Sequence, residues 1–345
     1  MTAGRPILIW GAGAIGGVVG AYLIRAGHDI VFVDQDAEHV AAINNQGLEI
    51  EGPIDAFTVK AKALLPGQVQ GEFDHIYLCV KAHHTEAATL ALAPHLAADG
   101  YVLSLQNGLN ELVIGNIIGR DRTIGAFVNF GADYLGPGLI TFGGRGAFVL
   151  GELHGATTPR LKALAELIRG SFEPGAEITG NIWGYLWGKL GYGALLFATA
   201  LTNASIVDVL GSARHRDLLG ALGQEVTEVT VAKGIRPEGF NGFDPDAFRA
   251  GADRAARDAS FDVMVAHNRK SAKSHSGVWR DLAIRKRKTE ADAQFGPIVE
   301  AARELGMEVP ITEALIALIH EIEDGSRPLD WSNLDALADR GKFQS

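Results

Sequence analysis

The chain of 345 residues is acidic, because 41 aspartate and glutamate residues against 31 lysine and arginine residues give a formal net charge of −10. Hydrophobic residues make up 47% and charged residues 21%, which is typical of a soluble globular protein with enough chain for two cores. The acidic balance argues against nucleic acid or an anionic membrane as the main partner. Cys79 is the single cysteine, which excludes an internal disulfide and favours a reducing, cytoplasmic compartment.

The chain begins with an apolar run that leads into a glycine-rich turn. Met1–Pro6 leave no room for a signal peptide before the first predicted strand, Ile7–Trp10. The motif Gly11-Ala12-Gly13-Ala14-Ile15-Gly16 follows this strand, and the sequence then predicts a helix over Ala14–Ala26 and a second strand over Ile30–Asp34. A strand, a G-x-G-x-x-G turn, a helix and a second strand in this order indicate a dinucleotide-binding βα unit.

Each glycine of this motif has a separate physical role in that interpretation. Gly11 permits the tight turn, Gly13 leaves room beside the backbone for a pyrophosphate, and Gly16 lets the helix lie close to the strand. The N–H groups at the start of the helix then face the phosphates. An ordinary glycine-bearing βα turn is the alternative. The residues that we predict to bind the cofactor here are Gly11, Ala12, Gly13, Ala14, Ile15 and Gly16.

Asp34 ends the second predicted strand, where a carboxylate can accept both ribose hydroxyls of NAD and repel a 2′-phosphate. The next residues, Gln35 and Asp36, supply no basic group for such a phosphate. The sequence therefore favours NAD(H) over NADP(H). The alternative for Asp34 is a helix cap or a solvated acid in a loop.

Strand and helix patterns continue to alternate up to about residue 130. Further strands are predicted over Ile76–Val80, Tyr101–Leu105 and Thr123–Phe130, which implies a mostly parallel, doubly wound α/β sheet of the Rossmann type. The turn Tyr134–Gly138 predicts a hairpin at the edge of this sheet. Pro159–Arg169 is predicted as one more helix.

The second half carries no persuasive strand pattern. We place the boundary in Phe172–Gly180, which predicts a dinucleotide-binding domain over residues 1–180 and an all-helical substrate domain over residues 181–345. The predicted helices of its bundle cover residues 182–201, 218–232, 282–305 and 311–322. The predicted helix over residues 282–305 is part of a long polar–apolar helix over Asp281–Leu305. Asp208 is predicted to cap a further helix over Val209–Arg216.

Lys81 and Asn107 each follow a predicted strand, Ile76–Val80 and Tyr101–Leu105 respectively. Open α/β sheets bind ligands at the carboxyl ends of their strands. Lys81 can supply a positive charge beside a phosphate or carboxylate, and Asn107 can fix the nicotinamide ribose or a substrate oxygen. A surface lysine and a turn asparagine are the alternatives.

Lys189 lies in Ile182–Leu201, the most apolar stretch of the chain. The charge and the glycines of this stretch favour a buried helix over a membrane span. Burying an ammonium group is costly unless it is paired, and desolvation lowers the pKa of a lysine, which suits a proton donor near neutral pH. The alternative is a lysine whose ammonium group reaches water along the helix surface.

Glu290 can pair with such a lysine or accept a hydrogen bond from a substrate hydroxyl. The basic run Arg285–Lys288 just before it is better interpreted as a solvated face than as a nucleic-acid patch, because the whole chain is acidic. The histidines show no metal-binding spacing, so no metal is predicted. Covalent hydrolase motifs are also missing from the sequence.

Five motifs together resemble the ketopantoate reductase (2-dehydropantoate 2-reductase) family, and the likeness covers most of the chain. They are Gly11-Ala12-Gly13-Ala14-Ile15-Gly16-Gly17, Cys79-Val80-Lys81-Ala82 with Thr85, Gln106-Asn107-Gly108, Trp187-Gly188-Lys189-Leu190 and Thr289-Glu290-Ala291-Asp292. The resemblance implies a Rossmann-type domain, an all-helical domain, an active site between them, and a homodimer. It also implies NADPH as the usual cofactor, so NADP(H) stays an alternative.

The resemblance implies roles for four residues. Lys189 acts as the general acid toward the carbonyl oxygen, and Glu290 assists it and contacts the product hydroxyl. Lys81 and Asn107 help to form the cofactor and substrate site. The predicted catalytic residues are therefore Lys189, Glu290 and Asn107.

The sequence departs from the family in the residues that would bind pantoate. Gly193 and Phe197 stand where the family has asparagines, and Asn203 compensates for them only if the helix shifts. In the family segment S-S-x-x-Q-D, Ser276 is retained and Gly277 replaces the second serine. These departures favour a substrate other than ketopantoate.

The sequence thus predicts an NAD(P)-dependent oxidoreductase that reduces a small 2-keto acid to the 2-hydroxy acid. His275 and Arg280 are candidate anchors for the substrate carboxylate. The predicted substrate-binding residues are Lys81, Gly193, Phe197, Asn203, His275, Ser276 and Arg280. An amine- or opine-forming dehydrogenase and a catalytically silent dinucleotide-binding protein are the alternatives.

Overall fold

The computed structural model describes residues 5–270, 274–341 and 343. Residues 1–4 lie outside these described residues. They belong to the segment Met1–Pro6, from which the absence of a signal peptide was predicted. By its internal contacts the chain divides into two compact units, Met1–Ile182 and Trp183–Ser345, named here the N-terminal unit and the C-terminal unit. Across the described ranges, no helix is both long and apolar enough to cross a membrane.

The described residues of the N-terminal unit, from residue 5 onward, form two sheets and five α-helices. Its strands are β1 (Ile7–Trp10), β2 (Ile30–Val33), β3 (Leu48–Glu51), β4 (Phe57–Val59), β5 (Lys62–Leu64), β6 (Phe73–Leu78), β7 (Leu96–Ser104), β8 (Thr123–Val128), β9 (Gly131–Gly136), β10 (Leu139–Gly144), β11 (Phe148–Glu152) and β12 (Glu177–Ile178). Its helices are α1 (Ala14–Arg25), α2 (Ala37–Gln46), α3 (Thr85–Leu92), α4 (Asn110–Ile118) and α5 (Pro159–Ser171).

The larger sheet has eight strands in the order β12-β11-β8-β7-β6-β1-β2-β5. Its strands from β8 to β5 are parallel, and β11 is antiparallel to β8. In β1, Ile7 and Ile9 pack with α1 and α5, whereas Leu8 and Trp10 pack with α3 and α4 on the other face. Burial on both faces explains the unbroken apolar run of β1, and the predicted doubly wound α/β class is confirmed.

The predicted hairpin forms, but its predicted position at the edge of the larger sheet is wrong. The strands β9 and β10 pair antiparallel and belong to a separate four-stranded sheet in the order β4-β3-β10-β9. The reason is that β10 pairs in parallel with β3, from Leu139 beside Glu49 to Thr141 beside Glu51. This pairing joins segments far apart in the chain, which local patterns do not reveal.

The C-terminal unit is helical, and in its described residues the only β-type pairing is an isolated bridge between Phe240 and Phe243. Its helices are α6 (Ile182–Thr199), α7 (Ile206–Leu210), α8 (Arg216–Ala232), α9 (Arg254–Arg269), α10 (Gly277–Trp279), α11 (Ala291–Glu304), α12 (Pro310–Glu323) and α13 (Ser332–Arg340). The first of them, α6, begins at Ile182, the last residue of the N-terminal unit. The predicted all-helical character is confirmed, as are the helices that correspond to α6, α8 and α12.

The predicted long helix over Asp281–Leu305 is wrong. A π-helical turn over Arg280–Ile284 follows α10, and regular helix resumes only at α11. The backbone at Lys286 has a φ of 50°, and the Asp281 carboxylate accepts hydrogen bonds from Arg285 and Arg287 at 3.0 and 2.9 Å. These contacts fold the basic run around one acid and interrupt the helix.

The predicted cap at Asp208 is also wrong. The helix in this region is α7, and Ser205 is its N-cap, whose hydroxyl accepts the Asp208 N–H at 3.1 Å. The Asp208 carboxylate in turn accepts a hydrogen bond from the Ser205 N–H at 3.3 Å. The two residues form a capping box, in which the acid belongs to the third helical position.

Candidate active-site residues

The turn between β1 and α1 requires glycine at two positions of the motif. Gly11 has a φ of +103°, and a Cβ there would lie 2.8 Å from the backbone of Cys79 and Val80. A Cβ on Gly16 would lie 2.0 Å from the Gly11 carbonyl oxygen. Both positions therefore hold the chain in a close approach that no other residue permits.

Gly13 has a different environment, because a Cβ on it would meet no atom within 4 Å. It is the N-cap of α1, and no side chain caps this helix end. The first N–H groups of a helix have no acceptor within the helix, so they can bind an anion. Open space beside an uncapped helix start fits a pyrophosphate.

Asp34 is hydrogen-bonded to the glycine turn itself. One carboxylate oxygen accepts the Ala12 N–H at 2.8 Å, and the other accepts the Asp36 N–H at 3.0 Å. The side chain is therefore a local loop acceptor and lies beside the turn, half-buried. Each carboxylate oxygen has a second lone pair for a ribose hydroxyl.

The loop after β2 concentrates negative charge near Asp34. Asp36 caps α2 by accepting hydrogen bonds from the N–H groups of Glu38 and His39, and it also accepts one from the Tyr134 hydroxyl at 3.3 Å. Burial, together with the carboxylates of Asp36, Asp34 and Glu38, raises the pKa of Tyr134 to about 12. The negative charge of these three carboxylates opposes the binding of a further negative group such as a 2′-phosphate.

Lys81 and Asn107 follow β6 and β7, whose last residues, Leu78 and Ser104, are paired in parallel. The two strand ends are joined by Gln106, whose side-chain amide donates hydrogen bonds to the Val80 carbonyl and the Thr85 hydroxyl, both at 2.8 Å. The Asn107 side chain is exposed, and Lys81 is half-buried.

A hydrogen-bond chain continues from Gln106 to the backbone of Asn107. The Thr85 hydroxyl donates to the Asn110 side chain at 2.8 Å, and the Asn110 amide donates to the Asn107 carbonyl at 2.6 Å. Sequence reasoning quoted Gln106 only as part of the motif Gln106-Asn107-Gly108, without a role of its own, and it did not mention Asn110. The position of Gln106 directly before Asn107, at the end of a buried strand, was the available signal.

Lys189 lies on the only face of α6 that is not fully buried between residues 185 and 196. Every position in this interval is buried apart from a stripe at helical spacing, formed by Tyr185, Lys189, Gly193 and Leu196. Lys189 is thus one of four partly exposed positions on an otherwise buried, apolar stretch of helix.

The glycines that surround Lys189 admit another segment of backbone. A Cβ on Gly188 would lie 2.1 Å from the Glu238 carbonyl oxygen, and the Glu238 N–H donates to the Gly184 carbonyl at 2.9 Å. A Cβ on Gly191 would lie 2.7 Å from the Phe243 ring. The loop after α8 therefore packs against this face of α6.

The start of α11 lies beside the Lys189 stripe. A Cβ on Gly193 would lie 3.9 Å from Gln294 Oε1, its nearest atom outside α6. Glu290 is the N-cap residue of α11, and its carbonyl accepts the Gln294 N–H at 2.9 Å. Gly193 and Gln294 thus lie close to each other. Lys189 lies one helical turn before Gly193, and Glu290 lies one helical turn before Gln294.

Two aromatic rings extend the contact between α6 and α11. Phe197 is 3% exposed and packs edge-on against Phe295, with 4.8 Å between ring centroids. The family resemblance implies an asparagine side chain at positions 193 and 197 of α6. In this chain Gly193 has no side chain, and Phe197 makes an apolar contact instead. Sequence reasoning missed Gln294, whose spacing of four residues from Glu290 was the available signal.

The other predicted substrate residues form a cluster after α6. Asn203 donates to the Leu329 carbonyl at 3.2 Å and accepts from the Trp279 indole at 3.3 Å. His275 stacks on Trp279 at 4.0 Å and contacts the Asn203 carbonyl through Nε2 at 3.2 Å. The Ser276 hydroxyl accepts the Trp279 N–H at 3.2 Å as the cap of α10.

These contacts give Asn203, His275 and Ser276 partners within the C-terminal unit. Their side chains hold the cluster together, so a substrate contact would have to share or replace those hydrogen bonds. Arg280 begins the π-helical turn directly after α10. Its role as a carboxylate anchor stays a prediction.

Comparisons with known proteins match both units. The model for ketopantoate reductase PanE/ApbA matches residues 7–155, and the model for its C-terminal part matches residues 181–323. The chain is 29% identical to the 2-dehydropantoate 2-reductase of Pyrococcus horikoshii over 317 residues, which are 91% of this chain and 96% of that protein. It is 27% identical to the 2-dehydropantoate 2-reductase of Archaeoglobus fulgidus over 322 residues, 93% of this chain and 99% of that protein.

Solved structures agree with these matches. A PanE/ApbA family ketopantoate reductase from Ralstonia eutropha has a TM-score of 0.78 and 29% identity, covering 93% of this chain and 99% of that one. The structure of D-mandelate dehydrogenase with NADH and anilino(oxo)acetate has a TM-score of 0.79 at 22% identity, covering 93% and 99% respectively. At that identity the likeness is one of fold alone.

A Rossmann-type unit with this glycine turn, followed along the chain by a helical unit, fits an enzyme that binds a dinucleotide. The relatives named 2-dehydropantoate 2-reductase place the chain among the oxidoreductases that depend on a nicotinamide dinucleotide. The two family models together span most of the chain. The chain therefore belongs to the ketopantoate reductase family and is a reductase of the kind that acts on a CH–OH group. The predicted family is confirmed.

Proposed function

We propose that this protein reduces a small 2-keto acid to the 2-hydroxy acid, with Lys189 as the general acid. The observation that carries the proposal is the position of Lys189 on the single partly open stripe of the otherwise buried central part of α6. A positioned proton donor of this kind contributes about 10²- to 10⁴-fold to rate. The family motifs around Lys189 and Glu290 support the same roles.

The residues of the glycine turn fit a dinucleotide, since Gly13 has open space beside the uncapped start of α1. A bound nicotinamide dinucleotide supplies the hydride for the carbonyl carbon. Lys189 donates a proton to the developing alkoxide oxygen, and Glu290 holds the Lys189 ammonium group or the product hydroxyl. Asn107 orients the substrate or ribose, and Lys81 offsets negative charge on the ligand.

We propose NAD(H) as the preferred cofactor. The support is electrostatic: Asp34, Asp36 and Glu38 lie close enough together that all three raise the pKa of Tyr134. A 2′-phosphate in the same loop would add about two negative charges to this group. The solved D-mandelate dehydrogenase of the same fold is described with NADH, which is in keeping with this choice.

The proposed substrate is a 2-keto acid with a more apolar side chain than ketopantoate. The departures at Gly193 and Phe197 remove two amides that the family resemblance implies, and Phe197 packs against Phe295 instead. Without these two amides, a polar side chain of the substrate would lose hydrogen bonds on binding, which favours an apolar substituent. The Gln294 amide beside Gly193 then offers one polar contact.

A screen of 2-keto acids with NADH and with NADPH tests this function. We expect oxidation of NADH with at least one apolar 2-keto acid, and a lower KM for NADH than for NADPH. A clear preference for NADPH would refute the argument from Asp34. Turnover only with ammonia or an amino acid present would identify an amine- or opine-forming dehydrogenase, and binding without any turnover would identify a silent dinucleotide-binding protein.

Gly193→Asn tests the specificity argument by restoring one implied amide. The new side chain should fit, because the nearest atom outside α6 is Gln294 Oε1 at 3.9 Å from the Cβ position. We expect the ratio of kcat/KM for ketopantoate to that for the best apolar keto acid to rise about tenfold, the effect of one hydrogen bond to a substrate hydroxyl. Gly193→Ala is the matched control, and an equal change in both variants would contradict the argument.

A further inference from the structure

The buried histidine His39 makes two hydrogen bonds that define its protonation. His39 is only 1% exposed to solvent. Nδ1 lies 2.9 Å from the Gly138 backbone nitrogen, and Nε2 lies 2.9 Å from the Ala12 carbonyl oxygen. A backbone N–H can only donate, so Nδ1 is the acceptor and the ring proton of the neutral imidazole is on Nε2. His39 therefore donates to the Ala12 carbonyl.

Ala12 is consequently held on both sides of its Cα atom. Its N–H donates to Asp34 at 2.8 Å, and its carbonyl accepts from His39. In a trans peptide the carbonyl and the following N–H point in opposite directions. Fixing the Ala12 carbonyl toward His39 therefore fixes the direction of the Gly13 N–H, which points away from the imidazole.

The surroundings of this carbonyl leave little freedom for another arrangement. A Cβ on Gly17 would lie 2.8 Å from the Ala12 oxygen, so α1 covers the carbonyl closely on one side. Gly13 by contrast has open space beside it. The crowded carbonyl of Ala12 and the N–H of Gly13, the residue with open space at its Cβ position, belong to the same peptide group.

We propose that His39 is a positioning residue for the dinucleotide, which it orients by holding the Ala12–Gly13 peptide with the Gly13 N–H directed toward the phosphates. This inference rests on the proposed function of the glycine turn. It also links the hairpin of β9 and β10 to the cofactor, because the Gly138 N–H in the hairpin turn sets which imidazole nitrogen carries the proton.

The groups that face His39 come from three elements. Tyr134 of β9 packs its ring at 78° to the imidazole with 5.0 Å between centroids. Asp36 accepts the His39 backbone N–H at 3.2 Å at the start of α2. Asp34 shares Ala12 as its partner. The arrangement needs a neutral imidazole, because a proton on Nδ1 would face the Gly138 N–H.

Two variants of His39 separate the roles of its two nitrogens. His39→Gln keeps a donor near the Nε2 position and loses the acceptor toward Gly138. His39→Asn keeps an acceptor near the Nδ1 position and loses the donor toward Ala12. Kd values for NADH are measured by fluorescence on both variants and on wild-type protein, with thermal melting as a check on folding. The inference predicts about a five- to tenfold weaker Kd in His39→Asn and a change within about twofold in His39→Gln.

A measurement on wild-type protein avoids any dependence on the folding of variants. Nitrogen-15 chemical shifts of the His39 ring should show the proton on Nε2, and Nδ1 unprotonated. A proton on Nδ1 would overturn the inference.

The remaining outcomes separate this inference from the proposed function. Wild-type affinity in His39→Asn, or equal losses in both variants, would overturn the role of His39 while NADH binding by the wild type upholds the glycine turn. A wild-type protein that binds neither NADH nor NADPH would overturn both.

Discussion

Replacing Lys189 with alanine is expected to lower kcat for the best 2-keto acid by about 10²- to 10⁴-fold, the range for loss of a positioned general acid. The reason is that the stripe would then lack the ammonium group proposed to neutralise the developing alkoxide. NADH binding should be unchanged, since the residues proposed for the cofactor, which are those of the glycine turn with Asp34, Lys81 and Asn107, all belong to the N-terminal unit. Steady-state kinetics and a direct Kd measurement check the two parts separately.

Lys233→Ala is the matched control for this variant. Lys233 lies after α8 in the same unit and pairs with Glu304 at 3.6 Å near the surface. The Lys233→Ala substitution removes the same positive charge at a position away from the stripe. The kcat of this variant should therefore match that of the wild type. Unchanged turnover in Lys189→Ala would remove Lys189 from the mechanism, and lost NADH binding would make it a cofactor residue instead.

Gly13→Glu is expected to abolish dinucleotide binding without unfolding the protein. A Cβ on Gly13 meets no atom within 4 Å, and the backbone there has a φ of −68°, which any residue can adopt. The added carboxylate would occupy the space proposed for the pyrophosphate and repel it. Like charges brought together cost several kcal/mol, so the Kd for NADH should rise at least about 100-fold.

Gly67→Glu provides the control for Gly13→Glu. Gly67 lies in an exposed turn of the same unit, and a Cβ on it also meets nothing within 4 Å. Both variants should melt within a few degrees of the wild type, and only Gly13→Glu should lose NADH. Retained binding in Gly13→Glu would mean that the dinucleotide does not lie against this turn.

The elements that the sequence predicted well have local signals. The strand β1 is four apolar residues directly before a glycine turn, and α12 begins at Pro310 and ends before a glycine. Such signals lie within a few residues of each other, so periodicity and turn chemistry are enough to recognise them. Lys189 was found in the same way, as a charge in an apolar run.

The elements that the sequence did not predict depend on distant partners. The strand β3 is stabilised by β10, which lies about ninety residues further along the chain. The break before α11 depends on Asp281, which gathers Arg285 and Arg287, and on Glu323, which accepts the Thr289 N–H at 2.6 Å. Tertiary contacts of this kind override a local helical pattern.

The candidate site shows the same division. The glycine turn and Asp34 were predicted from their spacing, whereas the hydrogen bond from Ala12 to Asp34 became visible only in the folded chain. His39 escaped notice because its partner Gly138 is 99 residues away. Gln294 escaped notice because its relevance depends on a missing side chain at Gly193 on another helix.

The most direct test of Lys189 as proton donor is the rate of hydride transfer in Lys189→Ala with small primary amines added to the solution. A diffusible ammonium group can enter the space left by the side chain and donate the missing proton. We predict a transfer rate that is strongly reduced without amine and that rises with amine concentration, while Lys233→Ala does not respond. Hydride transfer at the wild-type rate in Lys189→Ala without any amine would contradict the account.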